Sequence, residues 1–141
     1  MAKTRKRVQK RWVYVPPPKP KPKVPEDIKI DLEEKANLLV ESYLKPNYIK
    51  PEYKSDRYNY IVDIYTKWYR NYFYFISKYH CPGPTAISSS FEAKFTRLEY
   101  VGDGLFDVAY MRHTGKWQEV YMELSMNKCL ATIKNEATFH P

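Results

Sequence analysis

The sequence has little of what several common functions require. Only four glycines occur among 141 residues, too few for a glycine-rich loop that cradles phosphates. No apolar run approaches the roughly 18 residues of a membrane-spanning helix, and the basic N-terminus lacks the apolar segment of a secretory signal. The two cysteines, Cys81 and Cys129, have no CxxC spacing, which predicts reduced thiols in a cytoplasmic protein.

The residue types of catalytic and metal sites are also sparse. His80, His113 and His140 are the only histidines, none lies in an HExxH motif, and GxSxG and P-loop motifs are absent. Cys81 and His113 could form a nucleophile pair, and the histidines and cysteines together would suffice for zinc. Only His80 and Cys81 are close in sequence, however. We therefore predict a protein that is not an enzyme and that holds no metal and no cofactor.

Acidic residues are absent from the first 24 positions, which hold nine of the 24 Lys and Arg residues. The other 15 are offset by all 16 acidic residues, so residues 25–141 carry a net charge of −1 within a chain of +8. Residues 16–25 include six prolines, which favour an extended polyproline II conformation. We predict a basic, Pro-rich arm over residues 1–25 and a single domain over residues 26–141.

Hydrophobic periodicity predicts an α+β domain with two N-terminal helices, a three-stranded antiparallel β-meander and a C-terminal helix. The first helix begins near Glu26 and is stopped by Pro46 and Pro51. The second covers residues 58–79, which contain ten aromatic residues and apolar positions in steps of three and four. The strands cover residues 90–101, with a bulge near Arg97, 105–113 and 117–124, and Ser125 caps the last helix.

The second predicted helix has a polar side that mixes cations with tyrosines. Core packing explains most of its aromatic residues, but ten of them cannot all face one sheet. We therefore expect Tyr58, Tyr69 and Tyr74 to be at least partly exposed. Exposed tyrosines among cations suit the stacking of nucleic-acid bases and equally suit a protein–protein contact.

Two segments resemble a known family. Residues 106–117 read Phe-Asp-Val-Ala-Tyr-Met-Arg-His-Thr-Gly-Lys-Trp, and residues 67–75 read Lys-Trp-Tyr-Arg-Asn-Tyr-Phe-Tyr-Phe. Both are similar to a family of uncharacterised small cyanobacterial proteins, and the likeness covers most of the chain. The resemblance implies a bacterial, cytosolic or thylakoid-adjacent setting and implies no particular chemistry.

These observations predict a non-enzymatic binding protein that docks on nucleic acid, with RNA favoured, or on a ribonucleoprotein machine such as the ribosome or RNA polymerase. Lys and Arg neutralise phosphates and release counterions, although an acidic protein surface or an anionic membrane leaflet would attract the same arm. The alternative is a protein-only adaptor or assembly factor of a large complex, for example a photosynthetic one. The arm also contains a Trp-Val-Tyr-Val block at residues 12–15, which suits strand addition to a partner. The predicted binding residues are Lys3, Arg5, Lys6, Arg7, Lys10, Arg11, Trp12, Tyr14, Lys67, Arg70, Tyr74 and Lys78.

Overall fold

The computed structural model describes residues 21–141, which form a five-stranded antiparallel sheet with helices on one side. Each strand pairs with the next one along the chain, so the order across the sheet is β1-β2-β3-β4-β5. The elements are α1 (Glu26–Leu39), a π-helical segment (Val40–Leu44), α2 (Lys45–Tyr48), a 3-10 turn (Pro51–Tyr53), β1 (Tyr60–Tyr69), β2 (Tyr72–His80), β3 (Ser90–Gly102), β4 (Leu105–Met111), β5 (Trp117–Ser125), α3 (Met126–Asn135) and a second 3-10 turn (Ala137–Phe139).

The predicted architecture of two N-terminal helices and a three-stranded meander is wrong, because the aromatic segment forms the β1–β2 hairpin. Aromatic and β-branched residues favour strands. Phe73 and Phe75 pack into the core, while Tyr72 and Tyr74 between them lie on the other face. Since both faces of β2 carry large apolar side chains, its sequence does not show the alternation of apolar and polar residues that marks a half-buried strand. The apolar spacing of three and four residues that predicted a helix is therefore coincidental.

The N-terminal helix begins at Glu26, where the sequence predicted it. It does not end before Pro46. The π-helical segment continues the helical backbone into α2. Pro46 occupies the first turn of α2, and it has no backbone N–H that would need an acceptor. Leu32 and Ala36 of α1 are fully buried against the sheet, so this long helical stretch covers one face of it.

The core lies between that face and the helices. It contains Phe73, Leu98 and Val108 from the central strands together with Cys129 and Ile133 from α3. Polar bonds fix the helical layer in place. Three of them cross from the sheet to other elements: the Trp68 indole donates to the Lys29 carbonyl at 3.2 Å, Thr66 donates to Asn37 at 2.7 Å, and Thr96 donates to the Phe139 carbonyl at 2.8 Å.

A bulge in β3 decides which side chains share a face. Phe75 of β2 pairs with Thr96, whereas the next residue, Ile76, pairs with Lys94, so Phe95 has no partner on β2. The bulge predicted near Arg97 therefore lies at Phe95. It lets Phe95 enter the core beside Phe75 at a ring distance of 6.1 Å, and it leaves Lys94 and Arg97 on the opposite face.

Candidate nucleic-acid interface

The sheet face turned away from the helices, called the open face below, is built from cross-strand neighbours. Side chains of paired residues project to the same side. Lys67 on β1 pairs with Tyr74 on β2, Tyr74 pairs with Arg97 on β3, Arg97 pairs with Ala109 on β4, and Ala109 pairs with Glu119 on β5. A continuous row of side chains thus crosses all five strands, and no described helix packs on it.

Aromatic rings lie side by side on the open face. The Tyr72 and Tyr74 ring centroids are 6.0 Å apart with 29° between the ring planes. Tyr74 and Trp117 are 5.9 Å apart at 34°. Two strands, β3 and β4, lie between them. Ala109 on β4 is small and 1% exposed, so Trp117 can lean across it. The three rings form a patch that is held by packing against one another.

Cations are interleaved with these rings. The Arg97 guanidinium carbon lies 4.9 Å from the centroids of both the Tyr72 ring and the Trp117 ring. The Lys94 ammonium lies 4.3 Å from the centroid of the Tyr74 ring. Arg97 also forms an ion pair with Glu119 at 3.8 Å. Cation–π contacts thus fix the positive charges beside the rings while leaving Lys94 exposed.

A cleft of about 270 Å³ opens on the β1–β2 side of this patch. Tyr65, Tyr69 and Lys67 line it, and Ile76 contributes apolar surface. Burial, together with a hydrogen bond to Glu92, raises the pKa of Tyr65 to about 12, so its hydroxyl remains protonated into the alkaline range. The cleft is smaller than most small-molecule pockets, which span roughly 300–1,000 Å³, and it suits one ring better than a whole cofactor.

Lys21 is the first described residue, and it lies against the open face. Its ammonium group hydrogen-bonds the Tyr72 hydroxyl and is 3.8 Å from a Glu99 carboxylate oxygen. The hydrogen bond to Tyr72 is the main cause that raises the pKa of Lys21. The basic N-terminal segment therefore joins the described domain beside the aromatic patch.

Three carboxylates, Glu99, Asp107 and Glu119, gather within 4.8 Å of one another. Each has a partner of its own. Glu99 pairs with Lys21 and Glu119 with Arg97, and Asp107 accepts a hydrogen bond from the Glu123 amide at 2.9 Å. This arrangement balances the cations of the open face.

The structure brings together part of the predicted site. Lys67 and Tyr74 are direct cross-strand partners, Lys78 lies further along β2, and Arg70 is in the turn that joins β1 to β2. Lys67, Lys78 and Arg70 are exposed. Tyr74 is only 8% exposed, because Trp117 and Lys94 cover it. The predicted arm residues lie outside the described residues: Lys3, Arg5, Lys6, Arg7, Lys10, Arg11, Trp12 and Tyr14.

Exposure of the other two tyrosines follows the prediction, since Tyr69 is 52% and Tyr58 73% exposed. Tyr72, Lys94, Arg97 and Trp117 were not predicted as site residues. A strand interpretation of residues 60–80 would have indicated them, because alternation along β2 and its register with β3 place them beside Tyr74.

Together, the fold and this surface define a small α+β domain with one helix-covered sheet face and one aromatic, cation-bearing face. The chain belongs to the family described as a domain of unknown function, DUF3024, whose sequence model matches residues 21–141. Membership in a functionally uncharacterised family, as the resemblance implied, is thereby confirmed. No curated protein and no solved structure matches the chain. Among residues 21–141, no helix has the length and apolar character needed to cross a membrane.

Proposed function

We propose that the protein binds single-stranded nucleic acid, with RNA favoured, by stacking bases on the open face while the basic arm contacts phosphates. One observation carries the proposal. Tyr72, Tyr74 and Trp117 form a patch of rings with Arg97 and Lys94 set between them. Tyr74 is buried by its neighbours and supports the patch, so unstacked bases would stack on the exposed rings around it, including Tyr69, the cross-strand partner of Tyr72. Such stacking tolerates any sequence because every base has a π-face, and nearby cations attract the phosphates.

The exposed members of the surface are the ones available to a ligand. Tyr69 is half exposed at the rim of the 270 Å³ cleft, and Trp117 and Tyr72 are partly exposed. Lys67 and Lys94 line the same cleft as Tyr69. A base stacked on Tyr69 would thus have two ammonium groups nearby for its flanking phosphates. A duplex, whose bases are already stacked, offers no such ring, so single strands are preferred.

Charge on the open face is nearly balanced. Its cations are Lys21, Lys67, Lys78, Lys94 and Arg97, and its carboxylates are Glu92, Glu99, Asp107 and Glu119. The face therefore supplies stacking more than net attraction. Long-range attraction comes from residues 1–20, which carry seven further cations and no acid. We assign orientation and stacking to the face and most of the phosphate contacts to the arm.

The proposal is tested by the fluorescence anisotropy of labelled oligonucleotides of one sequence, prepared as single-stranded RNA, single-stranded DNA and duplex. We expect the full-length protein to bind the single strands more tightly than the duplex and RNA at least as tightly as DNA. The variant Lys67→Ala/Lys94→Ala should weaken single-strand binding. A charge-matched control, Lys54→Ala/Lys128→Ala, removes two exposed cations, one in the loop before β1 and one on α3, and should bind nearly as the parent does.

The balanced charge of the open face also favours a second candidate, the protein-only adaptor, because protein contact surfaces are less basic than nucleic-acid contact surfaces. Negligible affinity for all three oligonucleotides at low salt would overturn nucleic-acid binding and leave the adaptor. A tagged pull-down with and without nuclease treatment would then separate direct protein contacts from those bridged by RNA.

A further inference from the structure

A second cleft lies at the end of the sheet where β1 turns into β2. Its volume is about 450 Å³, and four cationic residues line it: Lys21, Lys23, Lys29 and Arg70. None of its lining residues is acidic. Residues 21–141 hold 17 Lys and Arg residues against 16 Asp and Glu residues, a net charge of +1, so a cleft with four positive charges and no carboxylate differs sharply from the average surface.

Three of these cations have no ion-pair partner within residues 21–141, namely Lys23, Lys29 and Arg70. Lys21 forms an ion pair at 3.8 Å with Glu99, which does not line the cleft. Cations held near one another repel, and an anion placed among them relieves that repulsion. The charge pattern therefore matches an anionic ligand.

The backbone holds the cleft in shape. Arg70 has a φ of +55°, which is unusual for a residue other than glycine. The next residue, Asn71, is buried, and its carbonyl accepts a hydrogen bond from the Tyr100 amide at 2.9 Å. On the other side, Val24 is 4% exposed and belongs to the core. Arg70 and Lys23 are thus presented by fixed segments rather than by free loops.

The cleft also adjoins the aromatic surface. The Arg70 guanidinium carbon is 5.3 Å from the centroid of the Tyr69 ring, and Lys21 lies 4.4 Å from the centroid of the Tyr72 ring. A nucleic-acid strand with one base stacked on Tyr69 would bring its next phosphate towards Arg70. We propose that this cleft is a phosphate-binding site that receives one phosphate group of the nucleic acid on the open face. The source of the phosphate rests on the proposed function above, whereas the anion site itself does not.

The anion site is tested with inorganic phosphate and the full-length protein, by following backbone amide shifts in NMR at constant ionic strength set with chloride. We expect saturable shifts at Asn71 and Lys29. In Lys23→Ala/Arg70→Gly the apparent affinity at these amides should fall by roughly tenfold, since charge-assisted contacts dominate phosphate binding. Glycine accepts the positive φ at position 70, so this variant should fold. The control Lys54→Ala/Lys128→Ala removes the same charge elsewhere and should leave the affinity unchanged.

The source of the phosphate is distinguished with single-stranded RNA carrying either a 5′-phosphate or a 5′-hydroxyl. If the cleft takes a terminal phosphate, the phosphorylated strand should bind more tightly, and Lys23→Ala/Arg70→Gly should abolish the difference. If it takes an internal phosphate, the variant should weaken both strands equally.

The two proposals fail separately. Absence of phosphate-dependent shifts at Asn71 and Lys29, with normal RNA affinity, would overturn the proposed phosphate site in the cleft but not the proposed binding of RNA to the open face. Saturable phosphate shifts without any RNA binding would uphold the anion site and overturn the proposed function.

Discussion

At the scale of single residues, Tyr69 and Tyr74 separate contact with a ligand from support of the surface. Tyr69 is 52% exposed, whereas Tyr74 is 8% exposed between Tyr72 and Trp117. Tyr69→Ala should change the free energy of unfolding by no more than about 0.5 kcal/mol yet weaken RNA binding by about 1–3 kcal/mol. Tyr74→Ala should lower stability by about 3 kcal/mol, because a packed ring is lost. Denaturant unfolding and anisotropy measure the two effects.

Tyr58→Ala is the matched control for Tyr69, since Tyr58 is 73% exposed and precedes β1. It should affect neither stability nor binding. Equal losses of RNA affinity in Tyr58→Ala and Tyr69→Ala would show that Tyr69 has no specific stacking role. A stable, fully folded Tyr74→Ala would contradict its place in the packed patch.

The two cysteines should differ in reactivity for a physical reason. Cys129 is buried, and that burial raises the pKa of its thiol to about 12. Below that pH the reactive thiolate is scarce, and the core also excludes reagents. Cys81 is only partly buried. At neutral pH a thiol reagent should label Cys81 alone in the native protein and both cysteines in denaturant, as read by mass spectrometry. Native labelling of the variant Cys81→Ser would contradict the burial of Cys129.

At the scale of elements, the β1–β2 hairpin shows what a sequence pattern can and cannot distinguish. The N-terminal helix start, the strands after residue 104 and the cap of α3 by Ser125 agree with simple periodicity and capping rules. The hairpin does not, since aromatic residues are so dense there that helical steps and strand alternation both match. The informative feature was the short polar pair Arg70-Asn71 between two aromatic runs, which is a hairpin turn once strand propensity is given weight.

The turn itself leads to a prediction about stability. Arg70 adopts a φ of +55°, a conformation that costs an L-residue about 1 kcal/mol or more. Arg70→Gly removes this strain, although the freedom of glycine in the unfolded chain offsets part of the gain. We expect the free energy of unfolding to rise by about 0.5 kcal/mol, measured as a higher denaturant midpoint at an unchanged dependence of that free energy on denaturant.

Two further variants check that the gain comes from backbone conformation. Arg70→Val should lose stability, because a β-branched side chain tolerates a positive φ poorly. Thr114 lies in the turn between β4 and β5 and does not have a positive φ. Thr114→Gly relieves no strain there, so it should lose stability as well. A destabilised Arg70→Gly would mean that contacts of the Arg70 side chain outweigh the strain.

At the scale of the whole molecule, the candidate site combines a part that sequence reveals with a part that only pairing reveals. Charge separation between residues 1–24 and the rest is visible in the sequence. The association of Lys67 with Tyr74 was predicted from helical spacing, but it arises because a two-residue turn sets them directly opposite each other. Trp117 lies 43 residues from Tyr74 along the chain, and only the sheet order brings the two rings together. No local pattern encodes such a contact.

If the arm contacts phosphates and the open face stacks bases, changes to the two should affect the salt dependence of RNA affinity differently. For single strands, the logarithm of affinity falls by about 0.7 for each tenfold rise in salt concentration and each phosphate neutralised. Stacking, in contrast, releases few counterions. Residues 1–20 carry seven Lys and Arg. If most of them contact phosphates, deleting residues 1–20 should reduce the slope of log affinity against log salt by roughly 3–4. Tyr69→Ala should instead lower affinity at every salt concentration without changing the slope.

Anisotropy titrations at several salt concentrations measure both slopes. A full-length variant in which the seven cations of residues 1–20 are replaced by glutamine keeps the chain length, and it should reproduce the slope of the deletion. If the deletion leaves the slope unchanged while Lys67→Ala/Lys94→Ala reduces it, the phosphate contacts belong to the open face and the arm has another role. If both leave it unchanged although RNA still binds, phosphate neutralisation is not the source of affinity, and stacking on the rings around Tyr74 must supply it.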